Sequence, residues 1–204
     1  MNQTTLLKTI TLTLTALVIA ACANTKPVGE WRSEDFSGKL NNILIIGVTS
    51  RSDRRRVFED KFVEGLAALK VNATPSYKLI DSSLHLSRQV VENAIKGQGI
   101  GAVLVTRLAG IKNKEVYRQP DNQDENLSYF NYYDKSLHQA NDGYTEQYRT
   151  VVLETNLYDT QSGELVWSMQ SETMDVSQPR QVVEAQIELT INTLAKRGLI
   201  HGTH

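Results

Sequence analysis

The chain has 204 residues, of which 40% are hydrophobic and 22% are charged, and its formal net charge at pH 7 is -1. This composition suits a single globular domain that folds without a disulfide or a metal. The near-neutral charge argues against a nucleic-acid-binding protein, which would carry a strongly basic domain or stripe. We therefore expect no nucleic acid among the partners.

The first 21 residues have the pattern of a signal peptide. A short polar start contains Lys8, an apolar run follows over residues 10–20, and two small residues, Ala20 and Ala21, end the pattern. The apolar run is shorter than the roughly 20 residues that cross a bilayer. The chain is therefore expected to be exported, with residues 1–21 removed.

Cys22 is the only cysteine in the sequence and follows this pattern directly. The segment Ile19-Ala20-Ala21-Cys22 resembles the lipobox of bacterial lipoproteins, in which the cysteine is lipidated and becomes the mature N-terminus. The resemblance implies acyl chains that hold the protein to a membrane more firmly than a single chain would. Ala23 stands where an aspartate would, by the same resemblance, favour the inner membrane. The expected location is thus the outer membrane, facing the periplasm.

The segment after this cysteine is interpreted as a connection to the folded body. Residues 22–40 contain Pro27 and Gly29 among scattered charges and show no helical or alternating apolar pattern. They are assigned as the lipidated N-terminus and a flexible tether, whose reach would be roughly 20 Å. Trp31 and Phe36 are expected to dock on the body; the alternative is contact with the membrane interface.

The predicted domain spans residues 41–200, and its first half alternates strands with helices. A continuous apolar run over residues 42–48 predicts a strand buried on both faces. Ser52 or Asp53 can cap the helix that follows, and residues 73–80 then predict a second strand at a sheet edge. The apolar face of this helix consists of Phe58, Phe62, Leu66 and Leu69.

The pattern then repeats with a second helix and a third strand. An amphipathic stripe over residues 87–96 predicts the helix, and glycines punctuate its end. The next apolar run predicts a strand over residues 100–110, which Ile111 and Val116 can extend into an arm. The result is a strand, helix, strand, helix, strand order.

The second half begins with a long insertion over residues 117–144, where loop residues precede an aromatic cluster. Residues 145–159 alternate between apolar and polar side chains, and a turn at residues 159–163 predicts a hairpin with the strand that follows. The last helix is expected to begin near Pro179, with Ser177 as its cap, and to end at Gly198. The second half therefore adds two strands and a final helix, with no internal repeat.

These elements predict one α/β (α+β) domain with a mixed sheet of about five strands and three helices, in the order βαβαβββα, followed by a frayed tail at residues 201–204. This order behind a lipobox resembles the small periplasmic α/β domain of curli-secretion and peptidoglycan-synthase-activator lipoproteins and of related envelope lipoproteins. The resemblance covers roughly residues 42–198. Its best local signal is the hairpin Leu157-Tyr158-Asp159 through Gly163-Glu164-Leu165-Val166-Trp167. The resemblance implies a protein that works by binding other proteins, and no catalytic or ligand residues carry over.

No cofactor and no metal site is expected. The histidines show no ligand spacing within a shared element. They are His85, His138, His201 and His204. The glycines at positions 97, 99 and 101 superficially suggest a phosphate loop, but they lead into a strand rather than a helix. No serine lies in a nucleophile elbow, and the single cysteine is assigned to lipid.

The densest basic cluster lies at the start of the first helix and consists of Arg51, Arg54, Arg55 and Arg56. Acidic residues lie alongside, among them Asp53, Glu59 and Asp60, so the cluster is interpreted as a solvated face. The alternative interpretation is a binding site for phosphate or an anionic envelope polymer.

The aromatic cluster of the insertion is the candidate partner contact: Tyr129, Phe130, Tyr132 and Tyr133. Tyrosines are favoured in protein contacts because they bury a large area and keep a polar tip. The sequence therefore predicts a membrane-anchored, non-enzymatic binding or assembly module with an envelope protein partner, or with its own copies as in a ring. The other interpretation of the cluster is an arm that packs its own tyrosines.

The rival function is an envelope hydrolase that would use carboxylates such as Asp121, Asp124 and Glu125 as acid and base.

Overall fold

The computed structural model describes residues 25–81, 86–118, 144–174 and 179–200. Within these ranges, three helices pack on one mixed sheet of six strands. The elements are β1 (Thr25–Arg32), β2 (Ile43–Val48), α1 (Ser52–Ala68), β3 (Ala73–Pro75), a 3-10 turn (Ser76–Lys78), α2 (Arg88–Ile95), β4 (Ala102–Arg118), β5 (Tyr144–Asp159), β6 (Leu165–Met174) and α3 (Pro179–Lys196).

The order of strands across the sheet is β1-β6-β5-β4-β2-β3. Strand β2 runs parallel to both of its neighbours, β3 and β4, whereas the other pairs are antiparallel. The prediction of a single α/β domain with a mixed sheet and three helices is confirmed. The number of strands is six rather than about five.

The additional strand, β1, lies in the segment predicted as a tether. It pairs with β6, so that Thr25 lies opposite Thr173 and Arg32 opposite Trp167. Seven of its eight side chains are exposed at the sheet edge, so the strand forms without the apolar alternation that identifies strands in a sequence. Phe36 packs against the core as expected, but Trp31 is 49% exposed, so its predicted docking is wrong.

The main core lies between the sheet and the helices α1 and α3. Alternate residues of the central strands point to this face, including Ile45, Leu104 and Leu157, and all three are fully buried. Trp167 is the largest fully buried side chain. Burying a large apolar side chain contributes about 1.5–3 kcal/mol, so this layer dominates the stability of the domain.

Helix α2 covers part of the opposite face. A smaller cluster there joins Leu44 and Ile46 of β2 to Ile100 and Val103, with Val91 of the helix packed against it. Ser87 caps the helix, because its hydroxyl accepts a hydrogen bond from the backbone nitrogen of Val90 at 3.3 Å. The two helices that follow β2 and β3 therefore lie on opposite faces of the sheet.

Two local predictions are wrong. Helix α1 begins after Arg51 without a side-chain cap, and Asp53 instead pairs with Arg51 at 3.1 Å. The second predicted strand ends at Pro75, because the chain turns into the 3-10 segment, where Ser76 and Tyr77 bond to Glu59.

The hairpin after β5 forms as predicted. Gly163 has a φ of +74°, and Asp159 accepts a hydrogen bond from the backbone nitrogen of Ser162 at 2.9 Å. None of the helices in the described ranges is both long and apolar enough to cross a bilayer.

Candidate functional site

The sequence-predicted site residues lie outside the described ranges. These are Cys22, Tyr129, Phe130, Tyr132 and Tyr133, together with the carboxylates Asp121, Asp124 and Glu125 of the rival hypothesis. The four histidines that were considered as metal ligands, His85, His138, His201 and His204, also lie outside these ranges. The structure does describe the two strands between which the aromatic segment is inserted.

Strands β4 and β5 form a two-stranded arm that extends past the rest of the sheet. Neighbouring β2 ends opposite Arg107, and β6 ends with Met174 opposite Thr150. From that level, β4 and β5 continue to pair only with each other in the described part, up to Arg118 opposite Tyr144. At about 3.4 Å per residue, the arm reaches about 20 Å beyond the body. It ends where the segment of residues 119–143 begins.

Apolar side chains are exposed at the base of this arm. Leu108 is 51% and Ile111 is 45% exposed, and their cross-strand partners are Leu153 and Val151. Because directly opposite residues share a face, these four side chains form one apolar strip. It lies on the face of the sheet that carries α1 and α3. Val48, at the end of β2, is also exposed, but it lies opposite Arg107 and therefore on the other face of the sheet. Contiguous exposed apolar surface of this kind marks contact sites more often than isolated residues do.

A cleft of about 410 Å³ lies where β2 ends, and we call it the strand-end cleft. Its floor and walls come from β2 and the loop after it, from β4 and β5, and from α1 and α3. The lining residues are Gly47, Val48, Thr49, Ser50, Arg54, Phe58, Thr106, Arg107, Leu108, Leu153 and Val183. The cleft therefore joins the apolar strip of the arm to the seam between the two helices.

The seam between α1 and α3 holds two further hollows, of about 520 Å³ and 310 Å³. The larger hollow shares Arg54, Phe58 and Val183 with the strand-end cleft, so the two are continuous. The helices approach closely at Gly65, where an added Cβ would lie 2.7 Å from the Cδ1 atom of Ile191. The larger hollow thus lies toward the start of α1, and the smaller one runs past Gly65 to Leu69 at its end.

A buried ion pair fixes the start of α1 against β2. Glu59 is fully buried, and its carboxylate accepts hydrogen bonds from the backbone nitrogen of Gly47, from the Nε of Arg55 and from the backbone nitrogen of Tyr77, each at 3.0 Å. The hydroxyl of Ser76 donates to the same carboxylate. The interpretation of the basic cluster as a wholly solvated face is therefore wrong for Arg55, which is 5% exposed.

A buried polar row lies under α3 and reaches the strand-end cleft. The hydroxyls of Thr106 and Thr155 are 3.0 Å apart, and the side-chain amide of Gln186 donates to Thr155 at 3.4 Å and to Thr190 at 3.3 Å. The hydroxyl of Ser171 donates to the carbonyl oxygen of the same amide. No buried side-chain polar atom in the described ranges is left without a partner, so the row is a satisfied polar layer within the core.

Arginines at the strand-end cleft differ in their pairing. Arg107 binds Glu154 through two hydrogen bonds, at 3.1 Å and 2.8 Å. Arg51, outside the cleft, pairs with Asp53, and this contact lowers the pKa of Asp53. Among the described residues, the guanidinium of Arg54 has neither an ion pair nor a hydrogen bond. One uncompensated cation therefore lines both the cleft and the larger hollow.

A polar cluster holds β1 to the rest of the body. Glu30 accepts hydrogen bonds from two guanidinium nitrogens of Arg197, at 2.8 Å and 2.6 Å, and from the indole nitrogen of Trp167 at 2.9 Å. The hydrogen bonds from Arg197 are the main cause that lowers the pKa of Glu30, and the one from Trp167 adds to it. In the sequence, these residues are too far apart for any local pattern to join them.

No grouping of three or more potential metal ligands occurs in the part of the chain that the structure describes.

No protein-family model and no curated protein matches the sequence. Among solved structures, the PelC dodecamer from Paraburkholderia phytofirmans is similar at 12% identity, with 88% of this chain and 99% of that chain covered and a TM-score of 0.46. The lipoprotein GNA1162 from Neisseria meningitidis is similar at 12% identity, with 76% and 99% covered and a TM-score of 0.39. Likenesses this distant assign no partner and no activity to this chain.

Proposed function

We propose that this chain is a non-enzymatic protein-binding or assembly module of the cell envelope, held at the outer membrane by lipid on Cys22 and facing the periplasm. The partner would be an envelope protein or further copies of the chain. The observation that carries the proposal is the two-stranded arm, whose described strands pair up to Arg118 and Tyr144 and enclose the aromatic segment in sequence.

The arm adds little to the core of the domain. A two-stranded hairpin in water is marginally stable at best, so six residue pairs beyond the sheet, from Asn113 opposite Arg149 to Arg118 opposite Tyr144, do not contribute a packed layer of their own. Such an extension is best explained by what it contacts. The tyrosines and the phenylalanine of the segment that the arm encloses in sequence, and the apolar strip at the base of the arm, are side chains of the kind that protein interfaces use.

The apolar strip gives this surface a defined extent. It consists of Ile111, Leu108 and their cross-strand partners, and at Leu108 and Leu153 it leads into the strand-end cleft. A partner that engaged the arm would therefore also cover the base of the arm, where burial of the exposed leucine and isoleucine would each contribute to binding.

The test is affinity capture of the full-length lipidated protein from solubilised envelopes, with bound proteins identified by mass spectrometry. The wild-type protein is compared with a variant in which Tyr129, Phe130, Tyr132 and Tyr133 are replaced by alanine. The matched control is Trp31→Ala, because this exposed aromatic residue lies on β1, at the opposite edge of the sheet from β3 and away from the arm.

A stoichiometric partner that is lost from the quadruple variant and retained by Trp31→Ala supports the proposal. Recovery of the chain's own copies alone, together with a larger mass in light scattering, identifies self-assembly as the form of the function. Equal capture by a quadruple variant with unchanged thermal unfolding overturns the assignment of the aromatic segment.

A further inference from the structure

The strand-end cleft lies where the connections of the parallel strands diverge. From β2 the chain passes through α1 to β3 on one side, and from β3 it passes through α2 to β4 on the other side of β2. Helix α1 packs on one face of the sheet and α2 on the other. In α/β sheets, this divergence leaves a crevice outside the carboxyl end of the strand, and ligands bind in such crevices.

The walls of the cleft combine apolar side chains with a few polar groups. Phe58, Leu108, Leu153 and Val183 supply apolar surface, and Thr106 adds a hydroxyl from the buried polar row. The ring of Phe58 lies directly over the end of β2, because an added Cβ at Gly47 would come within 2.9 Å of its Cδ1 atom. A volume of about 410 Å³ falls within the usual range of small-molecule sites, about 300–1,000 Å³.

Of the cations that border the cleft and the adjoining hollow, one has no carboxylate partner. Arg107 is matched by Glu154, and Arg180 at the far end of the adjoining hollow lies 3.5 Å from Glu184. Lys61 in the same hollow pairs with Glu64 at 3.3 Å. Among the described cations that line these two spaces, only the guanidinium of Arg54 remains unmatched, and it borders both. A ligand that complements this charge carries one anionic group.

We propose that the strand-end cleft binds a small amphipathic organic anion, with its anionic group on Arg54 and its apolar body against Phe58, Leu108 and Leu153. Arginine offers a planar fork of donors that matches carboxylate, phosphate or sulfonate oxygens. On binding, the apolar body would move from water into contact with the aromatic and aliphatic side chains of the cleft wall. This binding does not depend on the protein partner proposed above.

The probe is naphthalene-1-sulfonate, and its uncharged counterpart is naphthalene-1-sulfonamide, which has the same apolar body. Binding is measured by equilibrium dialysis against the full-length lipidated protein in phosphatidylcholine nanodiscs, with empty nanodiscs as the blank. The variants are Arg54→Gln, Leu108→Glu and the matched control Arg56→Gln. Arg56 lies on the same helix but stacks on the ring of Tyr77, 5.4 Å from its centroid, and does not line the cleft.

The wild-type protein is expected to bind the sulfonate saturably and the sulfonamide roughly tenfold more weakly, which is the loss expected from one charge-assisted hydrogen bond. Arg54→Gln should weaken sulfonate binding by a similar factor and leave sulfonamide binding unchanged. Leu108→Glu should weaken sulfonate binding because it places a like charge at an exposed wall position. Arg56→Gln should bind as the wild type does.

Two results would overturn the proposal. One is the absence of saturable sulfonate binding to the wild-type protein. The other is equal binding by Arg54→Gln and Arg56→Gln, with both variants unfolding at the wild-type temperature. Because Arg54 and Leu108 are exposed, neither substitution removes core packing, and a loss of binding by these variants reports on the cleft itself.

Discussion

The carboxylate of Glu59 on α1 accepts a hydrogen bond from the backbone nitrogen of Gly47 on β2, and the two atoms are 3.0 Å apart. This bond joins a buried side chain to the strand end at which the cleft forms. It also sets the position of α1, because the neighbouring residue Phe58 packs its ring against Gly47.

We predict that Glu59→Ala destabilises the protein by about 3–5 kcal/mol, because it leaves the Arg55 cation buried without a counter-charge. Arg55→Met should cost less, since the carboxylate keeps its other donors from Gly47, Ser76 and Tyr77. Urea unfolding followed by circular dichroism measures both. Equal losses for the two variants would contradict this ranking.

The matched control for this pair is Glu92→Ala. Glu92 pairs with Arg88 at the same helical spacing, but both side chains are largely exposed. Its loss should cost only about 0.3–0.5 kcal/mol, as for other exposed helical pairs.

We predict that Gly65→Leu destabilises the contact between α1 and α3 by about 1–3 kcal/mol, because a larger side chain cannot fit where a Cβ alone would lie 2.7 Å from Ile191. The double variant Gly65→Leu with Ile191→Ala should recover part of this loss. Gly65→Ala should be close to neutral, because the flexible end of Ile191 can move and alanine favours the helix. A double-mutant cycle in thermal unfolding tests this, and strictly additive losses would argue against the contact.

We predict that the contact between Glu30 and Arg197 makes stability sensitive to acid. The folded-state pKa of Glu30 lies below its ordinary value of 4.5, so its stabilising contribution is complete above that pH and is lost as the pH falls through the lowered pKa. Between pH 5 and pH 3, the wild type should therefore lose more stability than Glu30→Gln. Glu34→Gln, which changes an exposed carboxylate of the same region, should follow the wild-type curve. Parallel curves for the wild type and Glu30→Gln would refute the linkage.

We predict that Leu108→Asn and Ile111→Asn, made together, change stability by no more than about 0.5 kcal/mol for each residue, because both side chains are half exposed. The same change should reduce partner capture, since it removes the apolar strip at the base of the arm. Val28→Asn on β1 is the matched control, because Val28 is equally exposed but lies away from the arm. Capture that survives the double change at normal stability would remove the strip from the proposed surface.

The sequence predicts the elements whose side chains face a core. Strand β2 is buried on both faces and α3 carries an apolar stripe, so both follow from the spacing of their apolar residues. Strand β1 does not, because it is held by backbone hydrogen bonds to β6 and by Glu30, and these leave no local apolar pattern.

Charged residues predict the site less reliably than apolar residues predict the core. The charges of Arg55 and Glu59 favour exposed side chains, although their spacing with Phe62 and Leu66 is that of a buried helix face. The unmatched charge of Arg54 could not be predicted either, since it depends on which neighbouring carboxylates are already bound to other cations.

With the proposed lipid on Cys22, the pairing of β1 also determines which end of the body lies nearer the membrane. Thr25 lies opposite Thr173, next to the last residue of β6, and this is the end of the sheet from which the arm projects. Two residues separate Cys22 from Thr25, so three Cα-to-Cα steps of 3.8 Å span at most about 11 Å. A lipid on Cys22 would thus hold the body with its arm end toward the bilayer and the hairpin at Gly163 pointing away. Any partner that meets the arm would do so close to the membrane surface.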